Sequence, residues 1–308
     1  MEGVGVSEAI TSSGSRLPDE TRVGGVTLQV ADLGRSVDYY REVIGLRVLD
    51  ASGDPAALGA PGSAEPLVTL RAVPGTRPAP RRGAFGLFHF AILLPDRGAL
   101  ARFVGHIGLA GSRLSALSSG ASGFTGMADH LVSEAIYLSD PDGLGIEVYA
   151  DRPRDTWRYR DRELVMATNP LDVEDLLSAA GDAAWDGVPA GTTMGHVHLH
   201  VGHLGEAAAF YQRTLGLDIT VSGYPGALFY AAGGYHHHLG TNTWSPGPAP
   251  APDQAQLLEW SLIVPSPADA DAAGQRLLNA GYRAAADGGA WLARDPWGTP
   301  VRVTAGPS

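Results

Sequence analysis

The chain has 308 residues, enough for a sizeable core and for two domains. Its 33 Asp and Glu against 22 Lys and Arg give a formal charge of −11; a surface of that sign repels polyphosphate, and nucleic acid is not an expected partner. With no cysteine it forms no disulfide, thiolate nucleophile or iron–sulfur centre, so a bound metal must be held by His, Asp and Glu, donors suited to Fe(II), Mn(II), Ni(II) or Zn(II).

Residues 1–20 are small and polar, lack an apolar signal segment, and read as a mobile tail. No run approaches a membrane span, so no membrane association is expected and the cytoplasm is the expected location. Gly25–Val30 alternates like a half-buried strand. Asp32 can cap the helix that follows, where Val37, Tyr40, Val43 and Ile44 make one apolar stripe and Gly45 ends it. Pro66–Leu70 is the clearest of the next strands. A second unit starts at Leu87–Ile92, with a helix predicted over 97–109. The turn Asp140-Pro141-Asp142-Gly143 then leads into a last strand, Ile146–Tyr149.

Residues 151–190, with Arg152-Pro153-Arg154 and a helix predicted over 171–180, read as a connector, because beyond them the opening frame returns. Val30-Ala31-Asp32-Leu33, Tyr39-Tyr40 and Ile44-Gly45-Leu46 reappear as Val201-Gly202-His203-Leu204, Phe210-Tyr211 and Leu215-Gly216-Leu217. The third unit starts at Met194–Val201 and the fourth at Leu257–Ile263, with a helix over 267–280. Asp295-Pro296-Trp297-Gly298 matches the earlier turn, and Val301–Val303 follows it. His203 sits at a helix start. Ser245–Pro250, rich in proline, is a loop, because the repeat continues past it. An α+β fold is expected, with four β–α–β–β–β units in two homologous halves, 21–150 and 191–308. At the inward start of the first strand the halves differ: Gly25 in one, His196 in the other.

The repeated frame, the four units and the Asp-Pro turns resemble the vicinal oxygen chelate superfamily of glyoxalase I, fosfomycin-resistance proteins and type I extradiol dioxygenases. Within it, Leu87-Phe88-His89-Phe90, Asp129–Ala135 and Gly234–Gly240 resemble the bacillary catechol 2,3-dioxygenase branch. The resemblance implies two vicinal-oxygen-chelate domains with cupped mixed sheets, and ligands on the first and last strands of paired units. Pairing each half with itself gives broken sets, Gly25/His89/Glu147 and His196/Glu259/Arg302. Pairing unit two with unit three, as in monomeric four-unit glyoxalases, gives the complete set His89, Glu147 and His196. His198, on the same strand face, is an alternative to His196.

The resemblance also gives Tyr137 the role of hydrogen-bonding substrate and His130 that of a supporting histidine. It places an acid–base histidine in the run His236–His238, which Gly233-Gly234-Tyr235 suggests is a strand within the cup. Alternation then puts His236 and His238 on one face and His237 on the other, with His236 preferred and His238 next. Leu292 stands where Tyr137 does, and Glu259 is expected to pair with Arg302 across the vacant cup. The implied activity is Fe(II)-dependent extradiol cleavage of a small aromatic diol by O2, giving a muconic semialdehyde-type product, in a monomer or homodimer; Mn(II) is the second choice of metal. A non-redox, glyoxalase-like isomerase or lyase is the alternative. The insertion 111–128 is a candidate lid.

Overall fold

The computed structural model describes residues 16–50, 52–80, 82–109 and 123–306. Each unit contributes four strands in chain order. The first gives β1 (Arg22–Val30), β2 (Arg47–Asp50), β3 (Ala56–Gly59) and β4 (Val68–Ala72), and the second β5 (Gly86–Leu94), β6 (Gly123–Asp129), β7 (Ser133–Ser139) and β8 (Gly145–Asp151). A two-stranded ribbon, β9 (Tyr159–Arg160) and β10 (Glu163–Leu164), lies in the connector. The third unit gives β11 (Thr193–His200), β12 (Asp218–Val221), β13 (Ala227–Ala231) and β14 (Leu239–Asn242). The fourth gives β15 (Gln256–Val264), β16 (Ala284–Asp287), β17 (Ala290–Arg294) and β18 (Pro300–Ala305).

A helix follows the first strand of every unit, and local chemistry explains where each begins. Asp32 Oδ1 accepts from the Arg35 N–H at 2.9 Å, and the helix Leu33–Tyr39 runs on through a wider turn to Gly45, whose φ of 87° suits glycine. His203 does the same work in the third unit, its Nδ1 accepting from the Gly205 N–H at 3.1 Å. Ser266 and Asp269 form a capping box before Pro267–Asn279, and losing such a cap costs about 1 kcal/mol. The second helix, Arg97–Leu109, spans the predicted range.

The sheets form across the halves. One runs β16-β17-β18-β15-β1-β4-β3-β2 and joins units four and one; the other runs β12-β13-β14-β11-β5-β8-β7-β6 and joins units three and two. Each joint is antiparallel, β1 with β15 and β5 with β11, while first and last strands within a unit pair in parallel. A single core links the outer faces and helices, with Tyr39, Tyr40, Phe90, Phe210, Tyr211 and Trp260 all fully buried. The buried tyrosines are anchored by the matching turns: the Tyr40 hydroxyl donates to Asp140 (3.1 Å) and that of Tyr211 to Asp295 (2.9 Å).

Several expectations need correction. Of the expected tail, residues 1–15 lie outside the described residues, but 16–20 dock on the third unit: Leu17 is buried and donates its N–H to Gly216 O, and Arg16 pairs with Asp218. The connector helix is Val173–Ser178, shorter than 171–180. Of the candidate lid, 111–122 lie outside the described residues, and 123–128 belong to β6 because they pair with β7. Among the described residues no helix is long and apolar enough to cross a membrane.

Candidate metal centre

His89 on β5, Glu147 on β8 and His196 on β11 come from three adjacent strands of the second sheet. Glu147, Ala91 and His196 stand opposite one another in register, so the flanking strands carry the two ligating types and a methyl group separates them. His89, two residues before Ala91 and on the same face, leans into that gap. Its Nε2 lies 3.0 Å from Glu147 Oε2 and 3.3 Å from His196 Nε2; His196 Nε2 lies 3.1 Å from the same oxygen. All three residues are at most 5 % exposed.

Donor atoms at about 2.1 Å from one ion and at right angles to one another lie about 3.0 Å apart. Two imidazole nitrogens and one carboxylate oxygen converging at 3.0–3.3 Å therefore fit a divalent cation. Burial opposes ionisation of Glu147, yet the adjacent His196 and His89 hold its carboxyl well below the usual range. Burial pushes His196 down to about 4, against the pull of Glu147, so its imidazole is neutral and free to ligate.

Tyr137 on β7 stands opposite Glu147. His130 Nδ1 faces the Ala167 carbonyl at 2.7 Å and must carry the proton there; the bare Nε2 of the neutral ring then accepts from the Tyr137 hydroxyl at 2.6 Å. Burial and the Glu147 charge raise the Tyr137 phenol well above its ordinary value, which keeps it a neutral donor. Ala167 belongs to the connector, which also supplies Met166 and Thr168 to the cavity wall; residues 151–190 thus do more than link the halves.

The histidine run is arranged differently from the expected strand. Residues 232–238 are a turn between β13 and β14, with Gly233 and Gly234 at φ of 60° and 65°, so the period-two assignment of faces fails. Among the described residues His237 lines the cavity, and His236 and His238 do not. The His237 ring packs on His196 with centroids 4.0 Å apart. His236, fully buried, donates from Nε2 to Asp151 Oδ1 at 2.8 Å; its bare Nδ1 then accepts from His237 Nδ1–H at 2.7 Å, leaving His237 Nε2 unprotonated. Burial, with His196 and His236 nearby, pushes His237 well below its ordinary range. His238 packs on Tyr235, and its Nδ1 accepts from the Ala232 N–H. Sequence reasoning put His237 on the face opposite His236 and His238 and did not single out Asp151; the Gly-Gly pair was the available sign of a turn.

His198 lines the cavity beside His89, ring centroids 5.1 Å apart, and it is outside the group of three donors formed by His89, Glu147 and His196. In the other sheet the expected ion pair is present: Arg302 Nε and Nη2 donate to Glu259 Oε1 (2.6 Å) and Oε2 (2.9 Å), and Nη2 also reaches Asp287. At Gly25 a Cβ would fall 2.5 Å from the Pro66 carbonyl oxygen, so the backbone itself excludes a ligand side chain there.

The model of the Glyoxalase/Bleomycin resistance protein/Dioxygenase superfamily matches residues 22–148 and 193–301. A catechol-2,3-dioxygenase of Bacillus subtilis (strain 168) is 43% identical over 288 residues, covering 90% of this chain and 95% of that protein. Two solved structures share the fold. One, from Bacillus subtilis subsp. subtilis str. 168, has a TM-score of 0.64 at 14% identity, covering 96% of this chain and 87% of the other. Glyoxalase I from Zea mays has a TM-score of 0.54 at 18% identity, covering 93% and 92%. The crossed sheets, the paired units and these similarities lead to one conclusion: the chain belongs to the glyoxalase/bleomycin resistance protein/dioxygenase superfamily.

Proposed function

We propose that this chain is an Fe(II)-dependent extradiol dioxygenase that cleaves a catechol with O2 to a muconic semialdehyde-type product, the metal held by His89, Glu147 and His196. The observation that carries the reading is the buried triangle of three donor atoms, 3.0–3.3 Å apart, in a chain 43% identical to a catechol-2,3-dioxygenase. Fe(II) bound there supplies positive charge for both diol oxygens and electrons for O2; Mn(II) suits the same donors.

The surrounding residues have tasks that follow from their partners. Tyr137, kept neutral and held by His130 through its one hydroxyl proton, accepts a hydrogen bond from a substrate hydroxyl through its oxygen. A diol that binds through both oxygens gives up a proton, and the unprotonated Nε2 of His237 is the acceptor facing the cavity. His236 and Asp151 hold His237 in that tautomer. His238 supports the turn through the Ala232 N–H. The glyoxalase-like alternative is less favoured because, among the described residues, the group has one carboxylate and no fourth member. The ligand set is complete within one chain.

The test is oxygen uptake by protein loaded anaerobically with Fe(II) and mixed with catechol. Uptake with a yellow ring-fission product, lost in His196→Ala, is expected. One bound metal per chain with no uptake on any diol refutes the dioxygenase reading in favour of a non-redox enzyme.

A further inference from the structure

The cavity extends well past the metal-binding residues. Its volume, ≈ 960 Å³, is near the upper end of the roughly 300–1,000 Å³ of pockets that enclose drug-sized ligands, and a lone catechol ring beside His89 leaves much of it unfilled. The remaining space has an aromatic wall. Four large aromatic side chains are exposed among the described residues, Phe88, Phe124, Tyr159 and Trp244, and all but Tyr159 line this cavity. Phe88 begins beside the metal-binding residues, its ring centroid 4.9 Å from that of His89, and continues edge-on to Trp244 at 5.7 Å. His198 and His200 pack against Phe88 at 5.2 and 4.9 Å. Phe88 and Trp244 are 38% and 45% exposed although they stand in a concave site, and aromatic surface so placed is surface that a ligand covers.

Two segments joined by hydrogen bonds border the cavity. The segment from unit one to unit two and the proline-rich one from unit three to unit four are equivalent in the repeat, and they are hydrogen-bonded to each other. Arg77 N–H donates to Asp253 O (2.8 Å), Ala255 N–H to Arg77 O (2.9 Å), Phe85 N–H to Pro248 O (2.9 Å) and Gly83 N–H to Ser245 Oγ (2.7 Å). They approach so closely at Gly247 that a Cβ there would collide with the Gly83 carbonyl. Phe85 and Pro250, on these segments, line the cavity.

We infer that the substrate is a catechol bearing a bulky aromatic or apolar substituent, with the diol at His89, Glu147 and His196 and the substituent over Phe88 and Trp244 against Pro250. The inference rests on the dioxygenase reading for the diol alone; the wall stands apart from it. Oxygen uptake of the Fe(II)-loaded protein is compared for catechol, 3-phenylcatechol and 4-phenylcatechol. One phenylcatechol is expected to exceed catechol in kcat/KM by about tenfold or more, and that ratio falls about tenfold in Trp244→Ala and in Phe88→Ala. A general folding defect lowers both rates together and leaves the ratio alone. A wild-type ratio near one, or a ratio unmoved in both variants, overturns the inference. If no diol is cleaved, the dioxygenase reading fails and biphenyl, which has no oxygen to offer a metal, still decides the wall. Quenching of tryptophan fluorescence at micromolar biphenyl, weakened in Phe88→Ala, upholds it, and no quenching up to the solubility limit overturns it.

Discussion

Metal-free protein is expected to lose stability on mild acidification, and His238 isolates the cause. Burial, reinforced by His236 and His196, pushes His238 down to about 3 from an ordinary 6.5. The unfolded chain therefore binds a proton that the folded chain refuses at any pH between those values, so stability falls as pH drops below 6.5. From pH 7.5 to pH 5.0 the unfolded imidazole becomes protonated over about 1.5 pH units, worth about 2 kcal/mol at about 1.4 kcal/mol per unit. That figure does not depend on the folded value provided it lies below about 4.5. His238→Asn keeps an acceptor for the Ala232 N–H but removes the titration. Urea unfolding of wild type and variant in chelator, at both pH values, gives the difference directly. The variant should lose about 2 kcal/mol less than wild type between the two. Equal losses would refute the claim that His238 is buried as a neutral ring.

The other expectations concern the two cups. Ala91→Leu inserts a branched side chain into the row between Glu147 and His196; it should abolish Mn(II) binding, read by electron paramagnetic resonance, while costing about 1–3 kcal/mol of stability. Unchanged Mn(II) affinity there would mean that the three residues do not share one ion. Arg302→Met strands Glu259, about a quarter exposed, and should cost about 1–2 kcal/mol in denaturant unfolding. Adding Glu259→Met should recover most of that loss with metal stoichiometry unchanged; loss of metal from the double variant would show that this cup is not vacant.

Local chemistry made much of the fold legible. Asp32, His203 and Ser266 mark helix starts because each side chain satisfies a backbone N–H that a helix leaves open, and that rule operates within a few residues. The repeat and strand alternation, read with the superfamily resemblance, likewise put His89, Glu147 and Glu259 at positions facing their cups. The His236–His238 run shows where local periodicity stops: two consecutive glycines at positive φ turn the chain, and a face assignment holds only while the backbone stays extended.

The sequence by itself determined the four units and their helix boundaries, which depend on contacts a few residues apart; the candidate metal set and the pairing of unit two with unit three came from the resemblance to the superfamily, because those residues lie 49 to 107 positions apart. The tertiary structure realises that pairing as β5 with β11 and β1 with β15, and it alone decided that His237 lines the cavity and that two proline- and glycine-rich segments border it. Strand edges carry the same N–H and C=O groups in every unit, so a single sequence leaves their partner unspecified. The choice is made when the helices and both sheets bury their apolar faces in one common core.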